Sequence, residues 1–260
     1  MQKVSALYDK IVSGKHWFES RVTIGEAGVL VDSGGDAITF GGMRIRIGGS
    51  GPDAGYGENM LVSVTTKRPL FDEVDKVGQA NPGEVTVEML RPSGVIPKRA
   101  LVAPFIRASN GEETSEWIPK GKFYIDKRSE SDFGDRKKLS IHGYDGMLYA
   151  EADYPAVSGL DWPATDVDVV QEIADYLGFS VDNRVYQIMT AGYLVQYPSG
   201  YSCREVLGYI GAMYAGSFLM NDNGELMLVT LYGLPPETRY LIVGNGDGST
   251  ITFGGVKILV

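Results

Sequence analysis

The sequence predicts a mainly β chain carrying an inserted α+β unit. Three observations lead there. Short runs of alternating apolar and polar residues, bounded by glycine, proline and asparagine, recur from Ser20 to about Gly143. Two helix-capping signatures open apolar stripes between Pro155 and Val229. After Leu234-Pro235-Pro236 the strand pattern returns. Together they imply an antiparallel β-barrel or sandwich over 1–154, a two-helix α+β domain over 155–229, and strands over 230–260 that complete the barrel or begin a second one.

Taken in order, Leu7, Tyr8, Ile11 and Val12 lie at helical spacing before Ser13-Gly14, predicting a short helix or an extended arm. Val22, Ile24 and Val29, Val31 flank a turn at Gly25–Gly28. Ile38, Phe40 and Ile45, Ile47 flank Gly41-Gly42. Leu61, Val62 and Val64 start a strand after the loop Gly48–Gly57. Phe71–Asn81 reads as a loop or one helical turn ending at Gly78. Val85, Val87 and Met89 alternate cleanly until Pro92 and Pro97, and Leu101, Val102, Phe105 and Ile106 form the next strand. Asn110-Gly111 is a tight-turn signal.

The stretch Glu116–Tyr154 reads strand, turn, strand, short helix. Phe123 and Ile125, then Leu139 and Ile141, supply the buried faces, and Ser129–Asp135 holds the turn with Gly134. Asp145 stands where it caps a helical turn. Beyond Pro155, Thr165 with Asp168 caps a helix whose stripe is Val169, Val170, Ile173, Ala174 and Leu177, ended by Gly178. Ser180-Val181 and Ile188–Val195 offer short strands. Ser202 with Glu205 opens a second helix through Val206, Leu207, Ile210, Met213 and Tyr214, ended by Gly216. Phe218–Met220, Asn223-Gly224 and Leu226–Val229 make a hairpin, and Leu241–Val243 and Ile251–Val260 are later strands. One internal echo stands out: Gly35–Ile45 (GDAITFGGMRI) against Gly248–Ile258 (GSTITFGGVKI), a strand, a double-glycine turn and a second strand. The apolar end Lys257–Val260 implies a fragment of a longer protein or a paired, buried last strand.

The net charge of −9 argues against a general nucleic-acid binder, which needs clustered Lys and Arg; the longest basic run is Arg136-Lys137-Lys138. A single cysteine, Cys203, excludes an internal disulfide and reads as a small buried hydrophobe. The N-terminal residues carry no secretory signal and no run is long enough to span a membrane. His16 and His142 lie in separate segments without metal-ligand spacing. A Cys203–His142 pair is the one nucleophile–base combination on offer, and its apolar helical setting favours packing. Asp126, Asp132, Asp135, Asp145 and Asp153 read as surface acids. Gly48–Gly57 lacks the Lys-Ser/Thr of a phosphate loop, and Asn221–Glu225 copies only part of a calcium loop, so it reads as a hairpin turn. Trp17, Trp117 and Trp162 are scattered. No catalytic, cofactor-binding or metal-ligating residue is assigned, and the chain reads as not an enzyme.

The phrases Ser115–Asp126 (SEWIPKGKFYID), Leu139–Leu148 (LSIHGYDGML) with Tyr154, and Tyr209–Val229 (YIGAMYAGSFLMNDNGELMLV) resemble the tail hub or tail-tip structural proteins of bacteriophages and prophages. Glu84–Pro92, Ile96–Ala100 and Leu234–Tyr240 with Ile251–Gly255 fit the same order. The resemblance implies a tail-tube-like antiparallel barrel with an inserted α+β domain, three copies forming a hub ring, and a place between tube and tip. It implies as partners a tail tube or distal tail protein above and a spike or tape-measure protein below, with DNA passing through unbound. It also implies a virion tail component assembled in the host bacterial cytoplasm. The second barrel and C-terminal hydrolase of longer relatives are missing from this stretch. The other class in view is a carbohydrate- or receptor-binding tail module, for which the aromatic residues would supply a platform.

Overall fold

The first helix, α1 (Ala6–Val12), is set by Ser5, whose hydroxyl accepts the Tyr8 N–H, and it buries Ile11. This computed structural model describes residues 4–25, 55–70, 77–92, 96 and 99–231, with the backbone of short strand pairs between 28 and 47 and between 252 and 257. After α1 come β1 (Trp17–Ile24) and the two-residue strands β2 (Gly28–Val29), β3 (Thr39–Phe40), β4 (Met43–Arg44) and β5 (Arg46–Ile47). Then follow β6 (Leu61–Lys67), β7 (Glu84–Leu90), β8 (Leu101–Ser109), β9 (Ile118–Pro119), β10 (Phe123–Phe133) and β11 (Arg136–Asp145). One antiparallel sheet runs β1-β8-β10-β11-β7-β6, with β9 added on β8. Its inner face is the alternating set the sequence predicts: Val22, Val85, Val87, Met89, Val102, Phe123 and Ile141 are all fully buried.

The sheet is mainly β as expected, but it does not close into a barrel among the described residues. It curls until Val22 of β1 exchanges two backbone hydrogen bonds with Tyr56, at 2.9 and 2.8 Å. Among the described residues no second rung follows it. A turn at Gly57–Met60, closed by the Met60 and Leu61 N–H groups on the Gly57 carbonyl, carries the chain away from β1 before β6 begins. One bridge therefore stands where a barrel would have a ladder.

The hairpin β10–β11 is longer than its apolar residues imply. The polar stretch Ser129–Phe133 is strand, paired as far as Phe133 with Arg136, and only Gly134-Asp135 turns. A register shift between Ile125 and Lys127 marks where buried alternation gives way to an exposed arm.

Beyond β11, Asp145 caps a 3₁₀ turn at Gly146–Glu151. The α+β unit follows: β12 (Ala164–Thr165), α2 (Asp166–Leu177), β13 (Ser180–Val181), α3 (Asn183–Ile188), β14 (Leu194–Val195), α4 (Cys203–Met213), β15 (Gly216–Met220) and β16 (Glu225–Thr230). β16 pairs parallel with β13 and antiparallel with β15, and β12 pairs with β14. Both predicted caps are formed. Thr165 accepts from the Asp168 N–H, Gly178 adopts the left-handed conformation, and Ser202 and Glu205 make a reciprocal capping box. α3 is additional to the predicted elements and takes only Ile188 from the stretch read as strand; Asp182 caps it through the Arg184 N–H. α4 stops at Met213, and Gly216 opens β15 instead of ending the helix. A second core joins Val169, Ile173, Cys203, Leu207, Ile210, Phe218 and Leu226 to Met147, Ala150 and Tyr154.

The final pair, β17 (Thr252–Phe253) and β18 (Val256–Lys257), has the register of β3–β4: Thr39 opposite Arg44 and Phe40 opposite Met43, then Thr252 opposite Lys257 and Phe253 opposite Val256. The sequence echo is thus the same hairpin twice. Expectations for Val31, Ile38, Ile45, Gly48–Ala54, 71–76, Pro97, Leu234–Pro236, Leu241–Val243 and 258–260 lie outside the described residues.

Ile141 is fully buried at the centre of the sheet, whereas Val157 is 90% exposed. Truncating Ile141 to alanine is expected to lower unfolding free energy by about 2–5 kcal/mol, and truncating Val157 by less than about 0.5 kcal/mol, read by chemical denaturation.

Candidate functional site

The two units meet along a joint built mostly from backbone. The segment between β6 and β7 runs beside β15 as an extra strand: Gly78 N–H donates to the Gly216 carbonyl at 2.8 Å and Phe218 N–H to the Gln79 carbonyl at 2.8 Å. Ala80 bridges Phe218 in parallel register and its side chain enters the second core. Gly78 lies on α4 so closely that a β-carbon there would stand 2.6 Å from the Ala212 β-carbon, and one on Gly208 would stand 2.7 Å from the Gly78 carbonyl. Arg204 of α4 donates from Nε to the Ala80 carbonyl at 2.8 Å and pairs with Glu151.

Charged groups fasten the same joint from the other side. Arg68 binds Asp222 at 2.5 Å and the Lys120 carbonyl at 2.6 Å, tying the end of β6 to the β15–β16 turn. Asp145, fully enclosed, accepts the Gly83 N–H at 2.8 Å through Oδ2 and the Met147 N–H at 3.0 Å through Oδ1. Burial pushes its carboxyl up to about 7, against the pull of those two amides and Arg68. Asp182 goes the opposite way. Its bond to Arg184 and those from the Arg184 N–H and Asn221 hold it well below the usual carboxylate range.

The residues weighed from sequence do not converge. His16 sits on the Gly14 carbonyl at 2.8 Å and against the Phe18 ring. His142 lies on β11 between Glu84, 3.8 Å away, and the Tyr144 ring. Cys203 is fully buried in the second core, where burial pushes its thiol up to about 11, so it is packing and not a paired nucleophile. Asp126, Asp132, Asp135 and Asp153 are exposed, whereas Asp145, read as a surface acid, is buried at the joint. Asn221 accepts the Asn223 and Glu225 N–H groups, making the stretch a hairpin turn. The tryptophans form no common platform: Arg21 and Arg107 lie over the Trp117 ring at 4.8 and 4.4 Å, Trp162 packs on Tyr154 and Tyr197, and Trp17 is half exposed.

No protein-family model and no curated protein sequence matches the chain. It is similar to solved structures of tail proteins. One is the 43 kDa tail protein of prophage MuSo2 from Shewanella oneidensis, at 13% identity and a TM-score of 0.48, covering 83% of this chain and 56% of that one. Another is the tail protein from Neisseria meningitidis MC58, at 11% identity and a TM-score of 0.46, covering 84% and 53%. The chain spans about half the length of either.

What the structure presents outward is surface. Tyr201 and Tyr209 stack edge to face at 5.5 Å with both rings largely exposed, and Met213 continues the stripe one turn further along α4. Phe133 stands exposed at the hairpin end. Among the described residues no helix is long and apolar enough to cross a membrane. The joint was hidden from sequence reading; its signals were Gly78, read as the end of a loop or helical turn, and Gly208, a glycine inside a helix stripe.

Two outcomes test the joint. Gly208→Ala would gain up to about 1 kcal/mol in helix propensity, yet the clash with the Gly78 carbonyl outweighs it, so a net loss of about 1–3 kcal/mol is expected by thermal or chemical unfolding. For Asp145, an unfolded aspartate titrates near 3.9 and the folded one near 7, so the native state keeps the proton in between. Its contribution is full below about pH 4 and is lost as pH rises through 7, at no more than about 1.4 kcal/mol per pH unit. Comparing unfolding free energies at pH 5 and pH 8, wild type is expected to lose more than Asp145→Asn; equal slopes would refute the assignment.

Proposed function

We propose that this chain is a structural component of a phage-type tail, a subunit of a hub ring joining the tube to the tip or spike. The observation that carries this reading is the open, curled sheet. Among the described residues its two borders, β6 and β1, meet only through the bridge at Val22–Tyr56. Such borders need covering or pairing, and symmetric copies of one chain are the economical source of both. The α+β unit is bolted to the sheet through the 78–81 segment, so the chain behaves as a stiff part that neighbours can build on. The likeness of Ser115–Asp126, Leu139–Leu148 and Tyr209–Val229 to tail hub proteins supports the same reading.

In this reading the ring is trimeric, the sheet lines or frames the bore, and DNA crosses it without being gripped, as the net charge of −9 favours. The tube or distal tail protein, the spike or tape-measure protein, and further copies of the chain are its partners, and its role is mechanical instead of catalytic. The three-part division at 154 and 229 belongs to the same proposal.

Antibody against the chain, applied to tail particles released by the bacterium that encodes it, is expected to label one end of the tail in negative-stain images. Particles without label, or label spread along the whole tube, would overturn the hub assignment.

A further inference from the structure

The joint carries a groove whose polar groups the fold does not use up. It holds about 350 Å³, within the size range of small-molecule sites, and lies between the 78–81 segment and α4. Gly78 and Gly208, pressed together along it, put no side chain into the space. On the α4 side stand Glu205 and Tyr209, one turn apart. Tyr209 is 59% exposed; Tyr201, outside the groove, meets its ring edge to face at 5.5 Å and steadies it. Across from them is Asn81, and Arg204 spans the two sides by donating from Nε to the Ala80 carbonyl at 2.8 Å.

What is already bonded selects the ligand. The Gly78 N–H is held by the Gly216 carbonyl and the Gln79 N–H by the Ser217 hydroxyl. The Gln79 carbonyl takes the Phe218 N–H, and the Ala80 carbonyl takes Arg204. A peptide strand therefore finds no continuous row of backbone partners along 78–80. Charges of both signs border the groove, so Glu205 disfavours a phosphate and Arg204 disfavours a cationic side chain. Arg204 itself is occupied by Glu151 and Ala80, and the Asn81 amide donates to Gln79 at 2.7 Å. Two groups are left over. Glu205 accepts the Ser202 N–H and hydroxyl, at 2.8 and 3.0 Å, both on Oε2, and its Oε1 takes no hydrogen bond among the described residues. The Tyr209 hydroxyl makes none among them either.

We propose that this groove binds one ring of a neutral saccharide, with a C–H face of the sugar on the Tyr209 ring and a sugar hydroxyl donating to Glu205 Oε1. A pyranose has the matching layout: a flat C–H face that packs on an aromatic ring, and hydroxyls around its rim that both donate and accept. The aromatic platform that the scattered tryptophans do not supply is thus a single buttressed tyrosine. This site goes beyond the mechanical role proposed above and does not depend on it.

The test is saturation-transfer NMR on the full-length chain with methyl glycosides of glucose, galactose, mannose and N-acetylglucosamine. At least one is expected to bind with a Kd of about 1–10 mM, and saturation should be strongest on the protons of one sugar face. Tyr209→Ala is expected to weaken that binding about tenfold, while Tyr209→Phe keeps the ring and most of the affinity. Glu205→Gln, which preserves the helix cap, should weaken it about threefold or more. All three side chains are exposed at the surface, so circular dichroism should match wild type. Lysine and inorganic phosphate at the same concentrations are expected to give no response. No sugar binding up to about 50 mM, binding that Tyr209→Ala leaves intact, or a response to lysine or phosphate in place of the sugars would each overturn the proposal. The hub reading stands or falls separately, on the tail labelling.

Discussion

The backbone of Gly78–Asn81 holds this structure together. Three parts of the α+β unit reach the sheet through it: β15 by hydrogen bonds, α4 by the Gly78–Gly208 approach, and the second core through Ala80. Backbone contact of this kind leaves no rotamer freedom. Two segments so close that an added β-carbon would stand only 2.6–2.8 Å from its neighbour can sit in only one relative position. The ion pair Arg68–Asp222 and the buried Asp145 then fix the rotation about that line.

Asp145 shows how one residue serves both levels. Its backbone ends β11, opposite Phe123, and its carboxyl starts the 3₁₀ turn whose Met147 enters the second core. A carboxylate enclosed like this is costly unless hydrogen-bonded, and both its oxygens have amide donors. The same carboxyl also holds Gly83, the residue just before β7, so strand ends from the sheet are gathered at the point where the chain leaves it.

Much of the fold was legible because the relevant forces are local. Val85, Val87 and Met89 declare a buried strand face, and Ser202 with Glu205 declares a helix start, without reference to anything distant. The misreadings have physical causes too. Ser129–Phe133 is strand although polar through Asp132, because an arm exposed on both faces has no core to impose alternation. α3 was missed because Asp182 caps it without a matching acid three residues on. Among the described residues the sheet stays open where the turn at Gly57–Met60 leads away from β1, and strand patterns do not encode that turn. The joint was illegible for a simpler reason: a glycine's importance lies in what would collide with it, and that partner is more than a hundred residues away.

The rung between Val22 and Tyr56, the one that joins these borders among the described residues, has a mechanical meaning. Two hydrogen bonds contribute about 1–3 kcal/mol net, against the many that hold any neighbouring pair of strands. The curl is therefore latched and not welded. Force or a competing strand arriving from outside parts it along that line first, so the girth of the sheet is adjustable by a neighbour while its inner packing stays intact.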